Sequence, residues 1–174
     1  MDSPFMEYFA RNLAKTGPRV ARFEFPYMAA RRESGKKSPP NREPRLRESW
    51  LAAIDVFSDK KIVIGGKSMG GRIASLIADD TPAAGLVCLG YPFHPIGKPE
   101  KLRVAHLQNI QTPMLIVQGT RDPFGKPDEV GTYDLARQIR VHWLEDGDHS
   151  FKPRKSSGRT EQRNWQEGIQ AVAD

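Results

Sequence analysis

Three separated places in this chain hold residue types that together could transfer an acyl group. They are a serine among glycines, an aspartate before a proline, and a histidine in a late loop. The serine is Ser68 in "KIVIGGKSMGGR" (61–72). Gly66-Lys67-Ser68-Met69-Gly70 fits G-x-S-x-G between an apolar run and an amphipathic stretch. On a strand–turn–helix this pattern holds the serine in a strained backbone conformation above the sheet. Glycine at both flanks is expected because side chains there would collide with the neighbouring strand and helix. The helix start then offers amide groups to a developing oxyanion, with the N–H of Met69 as the expected donor. The pattern is short, so its placement carries more information than its letters.

A serine needs a base to attack an acyl carbon at neutral pH, and the base needs an orienting acid. The chain has four histidines. His149 lies just after the last apolar run and is the favoured base; His94, in "YPFHP", is the alternative. His142 alternates outward within a strand pattern, and His106 sits in "KLRVAHLQN"; both read as surface or packing residues. Asp122, in "GTRDPFG", is the favoured acid, with Pro123 biasing it away from helical backbone. The plain reading of the same residues is an Asp-Pro turn. Asp146 and Asp148 are alternatives, but beside His149 they are better placed to shape its loop. Tyr91 and His94, beyond the run at 85–90, are candidates for substrate contact against an equal case for a structural loop. Cys88, inside "GLVCLG", reads as buried and inert.

These residues need a scaffold. Asp2-Ser3-Pro4 opens a helix through Phe5, Phe9 and Leu13, which Thr16-Gly17-Pro18 closes. The alternation in "RVARFEF" (19–25) predicts a strand. Residues 26–45 are rich in proline and charge and predict a long basic loop. Leu46, Trp50, Ile54 and Phe57 mark an amphipathic helix. Strands are predicted at 61–65, 85–90, 114–119 and 140–145. Helices follow at 71–80, from about Pro127, and over Trp165, Ile169 and Val172, the last capped by Thr160. Apolar strands alternating with helices argue for an α/β architecture, with a mostly parallel sheet covered on both faces. In such sheets chemistry gathers beyond the carboxyl ends of the strands, where Ser68, Asp122 and His149 all fall.

Composition narrows the classes. The chain has 174 residues, enough for one domain (1–174), and no apolar run long enough to span a membrane. A single cysteine excludes an internal disulfide framework and fits a reducing compartment, so a cytoplasmic protein is expected. The net charge of +6 is compatible with an Arg-rich soluble surface, and no nucleic-acid-binding motif accompanies it. Basic residues at 31–45 and 152–163 follow strand ends. They read first as solvated loops, and second as a cationic rim favouring anionic acyl substrates. No metal-ligand spacing occurs and no cofactor is expected. Oligomeric state is not legible.

"FEFPYM", "GGKSMGGR", "LGYPFHP", "QGTRDPFG" and "DGDHSFKPRKSSGRT" together resemble the small α/β-hydrolase-fold serine hydrolases related to dienelactone hydrolase. Eukaryotic relatives of that family include a subunit of a nuclear histone-acetyltransferase (NSL) complex and a testis-expressed protein. The resemblance covers nearly the whole chain. It implies Ser68 as nucleophile, Asp122 as acid and His149 as base, and fixes no substrate; the triad itself leads us to expect cleavage of an ester or thioester. The family's opening strand and its His-Gly-Ala-Gly-like loop, source of a second oxyanion donor, do not precede "MDSPFM" here. In that family the strand is central, so an N-terminally truncated domain is expected. A non-catalytic scaffold or binding module of the same fold is the alternative reading.

Overall fold

In a computed structural model the described residues are 2–57 and 59–174; Met1 and Ser58 lie outside them. Four parallel strands form one sheet in the order β1 (Ile62–Lys67), β2 (Ala83–Leu89), β3 (Met114–Gly119), β4 (Ile139–Leu144). β2 and β3 are mostly apolar and largely buried, as central strands covered on both faces require, whereas β1 ends in Gly65-Gly66-Lys67 and β4 carries the exposed Arg140 and the partly exposed His142. The period-2 geometry sorts their side chains into two cores. Leu86 and Cys88 of β2, with Met114 and Ile116 of β3, pack with Leu46, Trp50, Ile54 and Ile73 on one face. Val87 and Leu89, with Leu115 and Val117, pack with Phe9, Phe151 and Ile169 on the other.

The first face is covered by α3 (Glu43–Asp55) and α4 (Met69–Ser75), the second by α1 (Pro4–Ala14) and α6 (Glu161–Ala173). Their ends follow the chemistry of the sequence. The Ser3 hydroxyl accepts from Met6 N–H with Pro4 in the first turn, and the Thr160 hydroxyl accepts from Arg163 N–H. Phe5, Phe9 and Trp165 cluster where α1 meets α6, the first two rings stacked at 4.6 Å. No helix among the described residues is long and apolar enough to cross a membrane.

Two predicted elements are corrected. Residues 18–25 carry no strand. The alternation there produces an extended chain that packs Phe23 edge-on against Trp50 at 4.7 Å and buries Phe25, but it joins no ladder. The expected loop 26–45 contains a helix, α2 (Pro26–Ser34). Pro26 starts it and Gly35, at φ +66°, stops it; of the other prolines that suggested a loop, Pro39 and Pro40 lie in the irregular segment 35–42 and Pro44 is in the first turn of α3. Helix α5 (Pro127–Val130) is a single turn. The helix expected at 71–80 begins earlier, as α4 at Met69, and ends in a separate 3-10 turn at Ala78–Asp80. Strand β1 forms one edge of the described sheet, with Val63 63% exposed.

The turn between β1 and α4 is built by backbone packed on backbone. A Cβ on Gly66 would lie 2.8 Å from both Gly70 C and Gly71 N, and one on Gly71 2.7 Å from Gly66 O and 2.8 Å from Cys88 Sγ. A Cβ on Gly70 would meet nothing within 4 Å. The steric requirement thus falls on Gly66 and Gly71, not on both flanking positions of the G-x-S-x-G pattern. Gly71→Ala should destabilise the protein by about 1–3 kcal/mol through overpacking. Gly70→Ala should be neutral or stabilising by up to about 1 kcal/mol, the helix-propensity difference. Urea unfolding of the two variants measures the contrast.

Candidate active site

Ser68 stands between the last residue of β1 and the first of α4, at φ 52° and ψ −117°. Positive φ in a residue with a Cβ is strained, and it persists where the surrounding packing over-determines it. Here Ser68 N–H donates to Leu89 O at 3.0 Å while Ser68 O accepts from Arg72 N–H at 3.0 Å, so both peptide groups are fixed. Met69 opens α4, so its N–H is one of the amides that a helix leaves without an intrahelical partner.

Asp122 follows the end of β3 and is fully buried. One carboxylate oxygen accepts from Phe124 N–H at 2.9 Å, closing a turn over Pro123. The other lies 2.7 Å from Nδ1 of His149. A carboxylate only accepts, so Nδ1 is the donor in this bond, which in the neutral imidazole leaves the lone pair on Nε2. The His149 side chain retains 25% exposure, with the Phe124 ring 4.5 Å away on one side. The structure therefore brings Asp122 and His149 into direct contact. It places Ser68 at the same carboxyl-end rim of the sheet.

The loop that carries His149 is held by interactions from three directions. Asp146 (φ 54°) and Phe151 (φ 68°) are its two strained non-glycine residues. The buried Asp146 carboxylate accepts from Arg154 N–H at 2.6 Å and from the Arg154 and Arg121 guanidiniums. Asp148 accepts from Ser150 N–H and Lys152 N–H. From α6, the buried Asn164 amide donates to Glu145 O and Phe151 O, and the Trp165 indole donates to Ser150 O. Asn164 and Lys67 went unnoticed in the sequence. Only the position of Asn164 among the apolar residues of an amphipathic helix, and of Lys67 beside Ser68, signalled them.

Tyr91 and His94, weighed above as substrate contacts or as structural loop residues, are both buried. Tyr91 is fully buried, its hydroxyl donating to Arg103 O at 2.9 Å. His94 is 3% exposed, with Nδ1 donating to Pro95 O and its backbone N–H to Phe124 O. Both stabilise the loop after β2 and leave little surface for a substrate, because the Tyr91 and Phe93 rings turn into the core.

A second serine–histidine pair exists, between Ser75 Oγ and His106 Nε2 at 2.8 Å. The Ser75 hydroxyl donates its one proton to Arg72 O at 2.7 Å, so His106 must be the donor in this pair. An imidazole nitrogen carrying a proton cannot take one from the serine. Burial, reinforced by Arg72 and Arg47, pushes His106 down to about 4 and keeps it neutral. Burial also pushes the Cys88 thiol up. The Lys67 ammonium is pushed down to about 8 by desolvation, against the opposing pull of Asp122 and Asp148.

The Asp146 carboxyl is held below its ordinary value of 3.8, first by its hydrogen bond from Arg154. A depressed carboxyl stabilises the fold above its unfolded pKa and loses that contribution on acidification. Asp146→Asn should therefore lower Tm at pH 7, with the gap to wild type closing only below pH 3.8. Asn164→Ala leaves the buried Phe151 carbonyl unpaired and removes the bond to Glu145 O, and should cost about 1–3 kcal/mol in urea unfolding.

A family model described as an alpha/beta hydrolase domain matches residues 1–174. An alpha-beta serine hydrolase homologue from Coxiella burnetii shares the fold with a TM-score of 0.74 and 17% identity, over 99% of this chain and 76% of that one. An α/β serine hydrolase without a lid from Xanthomonas campestris gives 0.71 and 17%, over 99% and 75%. The esterase domain of a Rhodothermus marinus protein gives 0.67 and 15%, over 97% and 77%. At these identities the likeness to the solved structures is one of fold. The chain belongs to the alpha/beta hydrolase domain family.

Proposed function

We propose that this hydrolase cleaves an ester or thioester through an acyl-enzyme on Ser68. The observation that carries the reading is the buried Asp122 carboxylate 2.7 Å from His149 Nδ1. That bond fixes the tautomer in which Nε2 can take a proton. In the proposed cycle the Ser68 hydroxyl attacks the carbonyl carbon as His149 Nε2 takes its proton. The Met69 N–H binds the oxyanion, and Asp122 orients and stabilises the imidazolium. His149 returns the proton to the leaving alcohol or thiol. It then deprotonates the water that releases the acyl group and regenerates the serine.

The substrate is proposed as a small to medium acyl compound. A required negative charge on it has weak support, because Arg154 and Arg159 of the basic segment 152–163 are engaged with Asp146 and Glu167. The five motifs quoted from the sequence support placing the protein with dienelactone-hydrolase-related members of the family.

The test is hydrolysis of p-nitrophenyl butyrate. Ser68→Ala and His149→Ala should each lower kcat/KM by about 10⁴-fold or more, and Asp122→Asn by about 10⁴-fold. Folded variants with wild-type rates would contradict the assignment and favour a binding module.

A further inference from the structure

Lys67 directly precedes Ser68, yet the cycle above leaves it idle. Its surroundings are unusual for a lysine. The ammonium donates to His149 O at 2.6 Å. It lies 5.5 Å from the centroid of the Phe5 ring and 5.9 Å from that of Phe151. Gly90, at φ +69°, makes the space that it shares with the imidazole. A Cβ there would sit 2.9 Å from Lys67 Nζ, 3.1 Å from His149 Cε1 and 3.2 Å from His149 Nδ1. The end of β1, the turn after β2, helix α1 and the loop after β4 therefore meet around one cation. The charged or titratable groups facing it are Asp122 from the turn after β3, and Asp148 and His149 from the loop after β4. Helix α1 contributes the uncharged Phe5.

We propose that Lys67 is a positioning residue for the Asp122–His149 pair, its ammonium anchoring the His149 backbone to the strand that delivers Ser68. The role rests on the serine hydrolase reading and assigns the variable position before the nucleophile within it. Strand β1 carries Ser68 and β4 leads to His149, three strands away in the sheet. The Lys67–His149 bond is a direct tie between the ends of these two strands.

Stability alone does not account for the cation. Desolvation brings its pKa to about 8 from 10.5 in spite of two nearby carboxylates. Between those values the unfolded chain binds more protons than the folded one, so stability at this residue rises with pH across that window. At neutral pH the folded protein carries the whole penalty of the buried charge. A group kept at the expense of stability next to a nucleophile fits the trade between activity and stability at functional sites.

The experiment compares Lys67→Met and Lys67→Arg with wild type. In Lys67→Met, kcat for p-nitrophenyl butyrate and the rate of fluorophosphonate reaction at Ser68 should fall by about 10–100-fold with KM little changed. Its Tm at pH 7 should equal or exceed that of wild type. Lys67→Arg, which keeps the charge, should recover part of the rate. Wild-type kcat should decline as pH rises through about 8, and Lys67→Met should lack that limb. The downfield proton resonance of the His149–Asp122 bond should broaden in Lys67→Met and persist in Lys67→Arg. Full activity and an unchanged resonance in Lys67→Met would overturn the role. A rate loss tracking a lower Tm, with no recovery in Lys67→Arg, would also overturn it in favour of a structural contact. Failure of wild type itself to react with the fluorophosphonate would instead strike the hydrolase reading. The resonance would then decide the Lys67 contact by itself.

Discussion

The site depends on a contact between two stretches of backbone. Gly66 and Gly71 let the end of β1 and the start of α4 approach to distances that any side chain would block. That approach forces the intervening residue to reverse the chain within a few bonds, and Ser68 takes positive φ as a result. The strain is held by hydrogen bonds at both of its peptide groups and by Cys88, whose sulfur fills the space against Gly71. The buried Cys88 thiol is a small apolar filler here. The Trp50 indole donates to Gly70 O and fastens α3 to the same turn.

The opposite partner is held by different means. The loop after β4 contains no regular structure between Leu144 and Lys155 apart from turns. It is fixed by polar contacts: Asp146 with two arginines, Asp148 with two amides, Asn164 with two carbonyls. Buried polar networks of this kind specify one arrangement when every member is satisfied. The result is a serine on a packed turn and a histidine on a hydrogen-bonded loop, both at the carboxyl-end rim of the sheet. The Lys67–His149 bond joins the two halves, and the Asp122–His149 bond ties the histidine loop to the turn after β3.

Much of this was legible in the sequence because it is encoded locally. The runs that became β2 and β3 were legible because a central strand covered on both faces is mostly apolar; β1 and β4 were legible from their β-branched and aromatic residues between turns. Asp122 and His149 were singled out because both follow predicted strand ends, and the structure brings their side chains into contact. The segment 18–25 misled because alternation encodes an extended chain, whereas a strand also needs a neighbour, and pairing is not written in the segment itself. Residues 26–34 misled because composition records proline and glycine without recording that they cap a helix. Tyr91 and His94 lie past a strand end as a substrate contact would. Their burial depends on Arg103, Phe124 and Gln118, distant in sequence. Asn164 and Lys67 act through carbonyls, which carry no side-chain signature.

The central claim is that Ser68 is a nucleophile made competent by His149. The most direct measurement is peptide mapping of the protein after reaction with a fluorophosphonate, for wild type and His149→Ala. A single phosphonyl adduct on Ser68 in wild type, formed far more slowly in His149→Ala, is the expected result. An adduct on Ser75 or elsewhere, or one on Ser68 that forms equally fast without His149, would contradict it.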